Sequence, residues 1–244
     1  MVFLQFGQPT TGGEVRKLGM VGGTGPEATI AYYRAVISGV QEIKGPNCLP
    51  PLVIDSVDVF KILGYCSRQD YGGLTDYLLT SVERLAAAGA EVATLTGLTP
   101  HIVFDQLRAV SPIPLVSAVE TTRDAALNCG AGRFALLGTE FTMTQDFFTL
   151  PLLKAGLEVI TPSASEIAFI QDKIVNELAH GLIPEATRAG FVAIIRRLRD
   201  EHQAQQVILG CTELPLLLDD RTSPLPCIDA VEIHTRALVA AITG

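Results

Sequence analysis

The feature that most constrains this chain is an alternation of short apolar runs with amphipathic stretches, sustained from end to end. Residues 16–22, 51–57, 91–96, 114–117, 133–138, 157–161, 207–209 and 226–229 form short apolar runs, most of them unbroken. Between them, residues 30–43, 74–89, 100–107, 121–127, 165–178, 184–202 and 231–242 carry apolar residues at helical spacing. In the second of these, Leu78, Leu79, Val82, Leu85 and Ala86 fall on one face. Strands that are apolar on both sides need cover on both sides, which predicts parallel sheets flanked by helices. The order strand–helix–strand–helix–strand occurs twice. Each half has a Gly/Thr turn after its first strand (22–25 and 138–142) and another after a later strand (96–99 and 210–212). The expectation is an α/β protein of two pseudo-symmetric lobes with its site between them. Residues 17–112 plus 224–244 would form the first lobe and 113–223 the second, after a disordered extension at 1–16.

Composition narrows the partners. With 244 residues, 48% of them hydrophobic, the chain can bury the cores of two domains of roughly 100–150 residues each. A net charge of −8 lacks the basic footprint of a nucleic-acid binder. No apolar run reaches the roughly 18–20 residues that span a bilayer, and residues 1–16 hold no signal-peptide core. Five cysteines with no CxxC argue against a disulfide framework and for a cytoplasmic protein. Four histidines without close ligand spacing give no reason to expect a metal site.

Gly22-Gly-Thr-Gly25 lies between a strand and a helix, and Asp55 ends the next strand. The third glycine of a dinucleotide fingerprint is missing, however, and Glu27 at the helix start would repel a pyrophosphate. A glycine-rich turn that lets a small ligand approach backbone amides fits better. Cys211 ends the apolar run Gln206-Val-Ile-Leu-Gly210 and is followed by Thr212 and Glu213. Open α/β sheets bind ligands at that edge, and a helix beginning near Thr212 would favour the thiolate. Cys48, Cys66, Cys129 and Cys227 read as inert, Cys66 least firmly. Thr96, Thr99, Thr139, Thr142 and Thr212 sit on turns after strands, where hydroxyls and free amides either cradle a carboxylate or cap helices. His101 either orients the 96–99 loop or caps the helix it opens, while Asp229 and His234 read as supporting residues.

Five motifs, in this order, carry a family resemblance: Gly22-Gly-Thr-Gly-Pro-Glu-Ala-Thr-Ile-Ala-Tyr-Tyr-Arg34, Thr99-Pro-His101, Ala135-Leu-Leu-Gly-Thr-Glu-Phe-Thr142, Gly210-Cys-Thr-Glu213 and Asp229-Ala-Val-Glu-Ile-His234. Over residues 17–243 the chain resembles the aspartate/glutamate racemase family. The resemblance implies a cofactor-independent racemase or epimerase that removes and returns the Cα proton of an amino acid between two groups, usually cysteines. It also implies a homodimer. Racemisation inverts the carbon, so it needs an acid/base group on each face and donors for the enolate-like carboxylate. On that basis Cys211 is one acid/base group. Thr139, Thr142, Thr212 and Glu213 line the substrate, and Thr24 approaches from the first lobe.

The sequence departs from the family at three places. The family's first catalytic cysteine, or the threonine some members have there, falls on Gly97. The asparagine that follows falls on Leu98, and a lysine that helps some members hold a distal carboxylate falls on Phe169. The second face would then be served by Thr96, Thr99, Cys66 or a water, and the substrate would be less acidic than aspartate or glutamate. Three readings stay open: a racemase of altered specificity, a one-cysteine decarboxylase of the arylmalonate type, and an inactive amino-acid-binding protein.

Overall fold

The computed structural model describes residues 14–244. Most of the expected 1–16 extension therefore lies outside the described residues. Arg16, at its end, gives its N–H to the Ile242 carbonyl and its guanidinium to that of Glu91.

In chain order the elements are β1 (Leu18–Gly22), α1 (Pro26–Lys44), β2 (Leu52–Ser56), α2 (Val59–Ser67), α3 (Tyr71–Ala87) and β3 (Val92–Leu95). A 3-10 turn at Thr99–Val103 leads into α4 (Phe104–Val110), β4 (Leu115–Val116), α5 (Ala118–Asn128) and β5 (Arg133–Gly138). Next come α6 (Glu140–Thr144), α7 (Asp146–Lys154), β6 (Glu158–Ile160), α8 (Ala164–Asn176), α9 (Glu185–His202) and β7 (Gln206–Gly210). A 3-10 turn at Leu214–Leu216, β8 (Cys227–Asp229) and α10 (Ala230–Thr243) complete the chain. The strands form two four-stranded sheets of order β2-β1-β3-β4 and β6-β5-β7-β8, parallel throughout. The expected architecture, two parallel sheets each flanked by helices, is what the chain forms.

The described residues divide into two compact units. One comprises the chain up to Thr96, Gln106–Val116 and Thr235–Gly244; the other comprises Gly97–Asp105 and Ser117–His234. In the first unit, β1 is buried at every residue, as an unbroken apolar run between two helical layers should be. Tyr32, Val36 and Val40 of α1 and Leu74, Leu78, Val82 and Leu85 of α3 supply the cover. Pro26 opens α1, where a missing N–H costs nothing, and Glu27 complements the positive end of the helix dipole. Gly89 follows α3 with φ +85, a conformation that suits a residue without Cβ.

In the second unit, Phe134, Leu136, Val207 and Ile208 of β5 and β7 are fully buried, and Phe148, Phe191 and Ile195 close over them. Ser163 and Glu166 form a capping box at the start of α8. Glu166 also takes two short bonds from Arg197 of α9, which hold its carboxyl down at about 2.

Two stretches and one boundary differ from expectation. Residues 59–67, 140–144 and 146–154 are helical, although 138–142 reads as a Gly/Thr turn and none of the three carries a clear helical period. The Asp58 side chain caps α2 and Thr139 caps α6, so local capping outweighs weak periodicity. The third difference is β8. It pairs in register with β7, Val207 opposite Cys227 and Leu209 opposite Asp229, so residues 227–234 stay with the second unit and the chain leaves it after His234 rather than near 224.

Each sheet has one point where successive crossovers leave in opposite directions. From β1 the chain goes outward to β2 and then back across to β3; from β5 it goes to β6 and then back to β7. Ligands of open α/β sheets bind at such switch points, beyond the strands' carboxyl ends. The two points fall at Gly22 and Leu95 in the first unit and at Gly138 and Gly210 in the second.

Candidate active site

Cys211 is the first residue past β7, at the switch point of its sheet. Gly138 and Gly210 face each other across β5 and β7. A Cβ on Gly138 would lie 2.8 Å from the Gly210 carbonyl oxygen, and one on Gly210 would lie 3.0 Å from the Leu137 carbonyl oxygen and 3.4 Å from the Thr142 methyl. The glycine pair therefore lets Thr142 settle over the ends of β5 and β7. Thr139 caps α6 by accepting the Thr142 N–H at 3.3 Å, and the two hydroxyls lie 3.1 Å apart. Thr142 is buried, so its hydroxyl is fixed in place.

The thiol is itself paired. Cys211 Sγ donates to Glu213 Oε2 at 2.8 Å, and the Thr212 hydroxyl donates to the same oxygen at 2.7 Å. Burial pushes the Cys211 thiol well above its ordinary value, and the adjacent Glu213 carboxylate pushes the same way. The N–H groups of Thr212 and Glu213 oppose this and are outweighed. The expected helix N-terminus at Thr212 does not form. Residues 211–213 are turn, and only the single 3-10 turn Leu214–Leu216 follows, so no macrodipole favours the thiolate. In the free protein Cys211 is thus a neutral thiol, a proton donor facing a carboxylate.

Leu98 belongs to the same buried apolar cluster as Cys211, Leu214 and Leu217. It follows Gly97, which offers no titratable group. Thr99 opens the 3-10 turn that continues to Val103. His101 holds this segment from below. Its Nε2 accepts the Ala118 N–H at 3.1 Å, which leaves the ring proton on Nδ1, 2.9 Å from the Gly97 carbonyl oxygen. Burial drives the imidazole down to about 4 despite the bonds at Gly97 and Leu98. His101 therefore both orients the loop and serves the first residue of α5.

In the first unit, Thr96 is fully buried at the end of β3 and donates its hydroxyl proton to the Val21 carbonyl at 3.2 Å. Thr29 accepts the Gly23 N–H at 2.9 Å and donates to the Gly25 carbonyl. With those two protons committed, the Thr24 hydroxyl is left to donate to Thr96 at 3.2 Å. The cluster ties the 22–25 turn to β3, and Thr96 meets hydroxyls and a carbonyl rather than a base. Cys66 is buried in α2, its thiol pushed up by burial.

Phe169 of α8 is half-buried. Its ring packs on α9, where a Cβ on Gly190 would lie 2.5 Å from it, and on Phe191, with centroids 5.9 Å apart. Lys173 Nζ lies over its other side at 5.7 Å. Sequence spacing alone carried no sign of the Cys211–Glu213 bond. The bond follows from a turn in place of a helix, which folds residue 213 back onto 211.

Residues 21–238 match the model of the Asp/Glu/hydantoin racemase family. The chain belongs to that family. It is 24% identical over 229 residues to the broad specificity amino-acid racemase RacX of Bacillus subtilis, covering 91% of this chain and 96% of that one. The structure is similar to that of an aspartate racemase homologue from Pyrococcus horikoshii (TM-score 0.85, 32% identity, 94% of this chain and 100% of that one). It is also similar to a Yersinia pestis protein described as an Asp/Glu racemase candidate (TM-score 0.87, 31% identity, the same coverage of each). Among the described residues no helix is long and apolar enough to cross a membrane, and no cluster of side chains suited to a metal ion occurs.

Proposed function

We propose that this protein is an amino-acid racemase or epimerase that moves the proton on a substrate's Cα, with Cys211 as acid/base on one face. The observation that carries this reading is the Cys211 thiol bonded to Glu213 just past β7, at the switch point of a sheet whose neighbouring strand β5 leads into the Thr139–Thr142 hydroxyl pair. The chemistry follows from the pairing. A carboxylate next to a thiol holds the proton on sulfur. An α-ammonium that binds Glu213 takes over that carboxylate; the thiol then passes its proton to solvent water as the substrate seats, and the thiolate left behind acts as base. A thiolate in a dry site is a strong base, matched to a weak carbon acid. The bond from Cα to hydrogen breaks, its electron pair delocalises into the substrate carboxylate, and the Thr139–Thr142 pair, with Thr212 once the ammonium has displaced it from Glu213, donates to the oxygens where charge develops. Return of a proton from the opposite face completes inversion.

Gly97 supplies no proton for that face, so a water held near Thr99 is the donor this reading assigns. Leu98 stands where the family resemblance implies a polar contact, which favours a substrate less acidic than aspartate. The same glycine favours a second reading. In a one-cysteine decarboxylase the Cα–carboxylate bond of a substituted malonate breaks, CO2 leaves, and the neutral Cys211 thiol protonates the remaining carbanion.

The test is α-proton exchange in D2O over L- and D-amino acids with chiral analysis, run on the wild type and on Cys211→Ala. Exchange with inversion that is lost in Cys211→Ala supports the racemase. Exchange that survives in Cys211→Ala removes the cysteine from the mechanism. No exchange, with CO2 released from a substituted malonate, transfers the assignment to the second reading.

A further inference from the structure

The chain passes between its two units four times, after Thr96, Asp105, Val116 and His234. One side chain touches the second-unit end of every passage. His101 Nδ1 meets the carbonyl of Gly97, the first residue past the first passage. Its ring stacks on Phe104, one residue before the second, with centroids 5.1 Å apart and planes 3° from parallel. Its Nε2 accepts from Ala118, two residues past the third. Its edge meets His234, the last residue before the fourth, at 6.1 Å and 76°. Both histidines are buried, at 4% and 0% exposure, so none of these contacts competes with water.

From this arrangement we propose that His101 is the positioning residue of the Gly97–Thr99 loop, a neutral Nδ1–H imidazole that fixes Gly97 against the first turn of α5 and gathers the four passages. An asparagine amide reaches the Nδ1 position and a glutamine amide the Nε2 position, so each serves one of the two hydrogen bonds. The ring offers a donor and an acceptor about 2 Å apart on a rigid plane, and in the neutral state each is committed. Rotation of the Gly97 peptide breaks the bond to Nδ1. Protonation of the ring breaks the bond from Ala118. His101 touches no substrate on this account; it acts through the loop. Its effect on turnover rests on the functional reading above, whereas its effect on the loop does not.

Two variants divide the hydrogen bonds. His101→Asn keeps a donor near the Nδ1 position, and His101→Gln keeps an acceptor near the Nε2 position. The first measurement needs no substrate: nitrogen-15 NMR of the imidazoles at neutral pH, with His101 assigned by its loss in His101→Asn. The expected result is a protonated Nδ1 and a bare Nε2; a protonated Nε2 or an imidazolium overturns the proposal. The second is amide hydrogen exchange. In His101→Gln, residues 97–101 should exchange roughly tenfold faster or more while β5 and β7 keep their protection. His101→Asn should lie closer to wild type. Equal exchange in all three proteins overturns the proposal.

Turnover adds a readout that a purely stabilising side chain would not move. His101→Gln should lose roughly tenfold to a hundredfold in kcat with KM little changed, and His101→Asn should recover part of it. Wild-type kcat in a folded His101→Gln sinks the positioning role. If the wild type itself turns over no amino acid, the functional reading fails while the NMR and exchange results still decide the part played by His101.

Discussion

Replacing Glu213 by Gln should lower the pKa of Cys211 by about one unit. The S–H···O⁻ bond of 2.8 Å involves a charged acceptor, a class worth about 1.5–3 kcal/mol, while the neutral bond that glutamine still accepts is worth about 1. The net loss, about 0.5–2 kcal/mol, favours the thiolate and corresponds to roughly one pKa unit at 1.36 kcal/mol each. Burial, the larger cause of the elevation, is untouched, so the thiol stays above its ordinary range. The assay is iodoacetamide labelling as a function of pH, read by mass spectrometry on the peptide that contains Cys211. At fixed pH the thiolate fraction rises about tenfold. Nucleophilicity falls with pKa with a coefficient near 0.4–0.5, so labelling should accelerate about threefold. The midpoint of the profile is independent of access to the buried sulfur, and it should move down. An unchanged or higher midpoint would refute the claim that Glu213 holds the proton on the thiol.

Three further outcomes are expected. Gly97→Cys should create or raise racemisation relative to one-sided exchange, measured by chiral analysis in D2O; no gain would mean that a different group serves the second face. Because folding lowers the His101 pKa from 6.5 to about 4, the neutral imidazole contributes fully above pH 6.5, and about 3 kcal/mol is lost as pH falls towards 4. Denaturant titrations should show that slope in wild type and a shallower one in His101→Asn. Gly138→Ala forces a Cβ to 2.8 Å from the Gly210 carbonyl, so it should cost about 1–3 kcal/mol in the same titration and change Cys211 labelling, whereas Gly132→Ala, with 3.8 Å to its nearest neighbour, should do neither.

Much of the fold was legible because the signals were local and repeated. Short apolar runs bounded by turn residues, such as Leu18–Gly22 and residues 207–210, read as strands covered on both faces, and a turn after each strand marks where the chain reverses course. Residues 140–154 were not legible as helix, since the Gly/Thr chemistry of 138–142 reads as a turn and the two helices that follow, of five and nine residues, are too short to show a period. The membership of β8 could not be read either, because three residues of strand carry no sign of which neighbour they will pair with. At the site, the position of Cys211 came from the sequence and its protonation state did not. That state depends on a fold-back two residues long and on burial, both invisible to periodicity. Phe169 was legible only through the resemblance; its packing in the notch at Gly190, between α8 and α9, carried no sign in the sequence.

The pairing of Cys211 with Glu213 also decides how this protein weathers oxidants. Peroxide attacks thiolates, and the first oxidised product forms fastest where the sulfur is both charged and exposed. Cys211 at rest is neither, being 9% exposed and held protonated by its neighbour. A carboxylate that holds the proton on a buried sulfur thereby slows its oxidation.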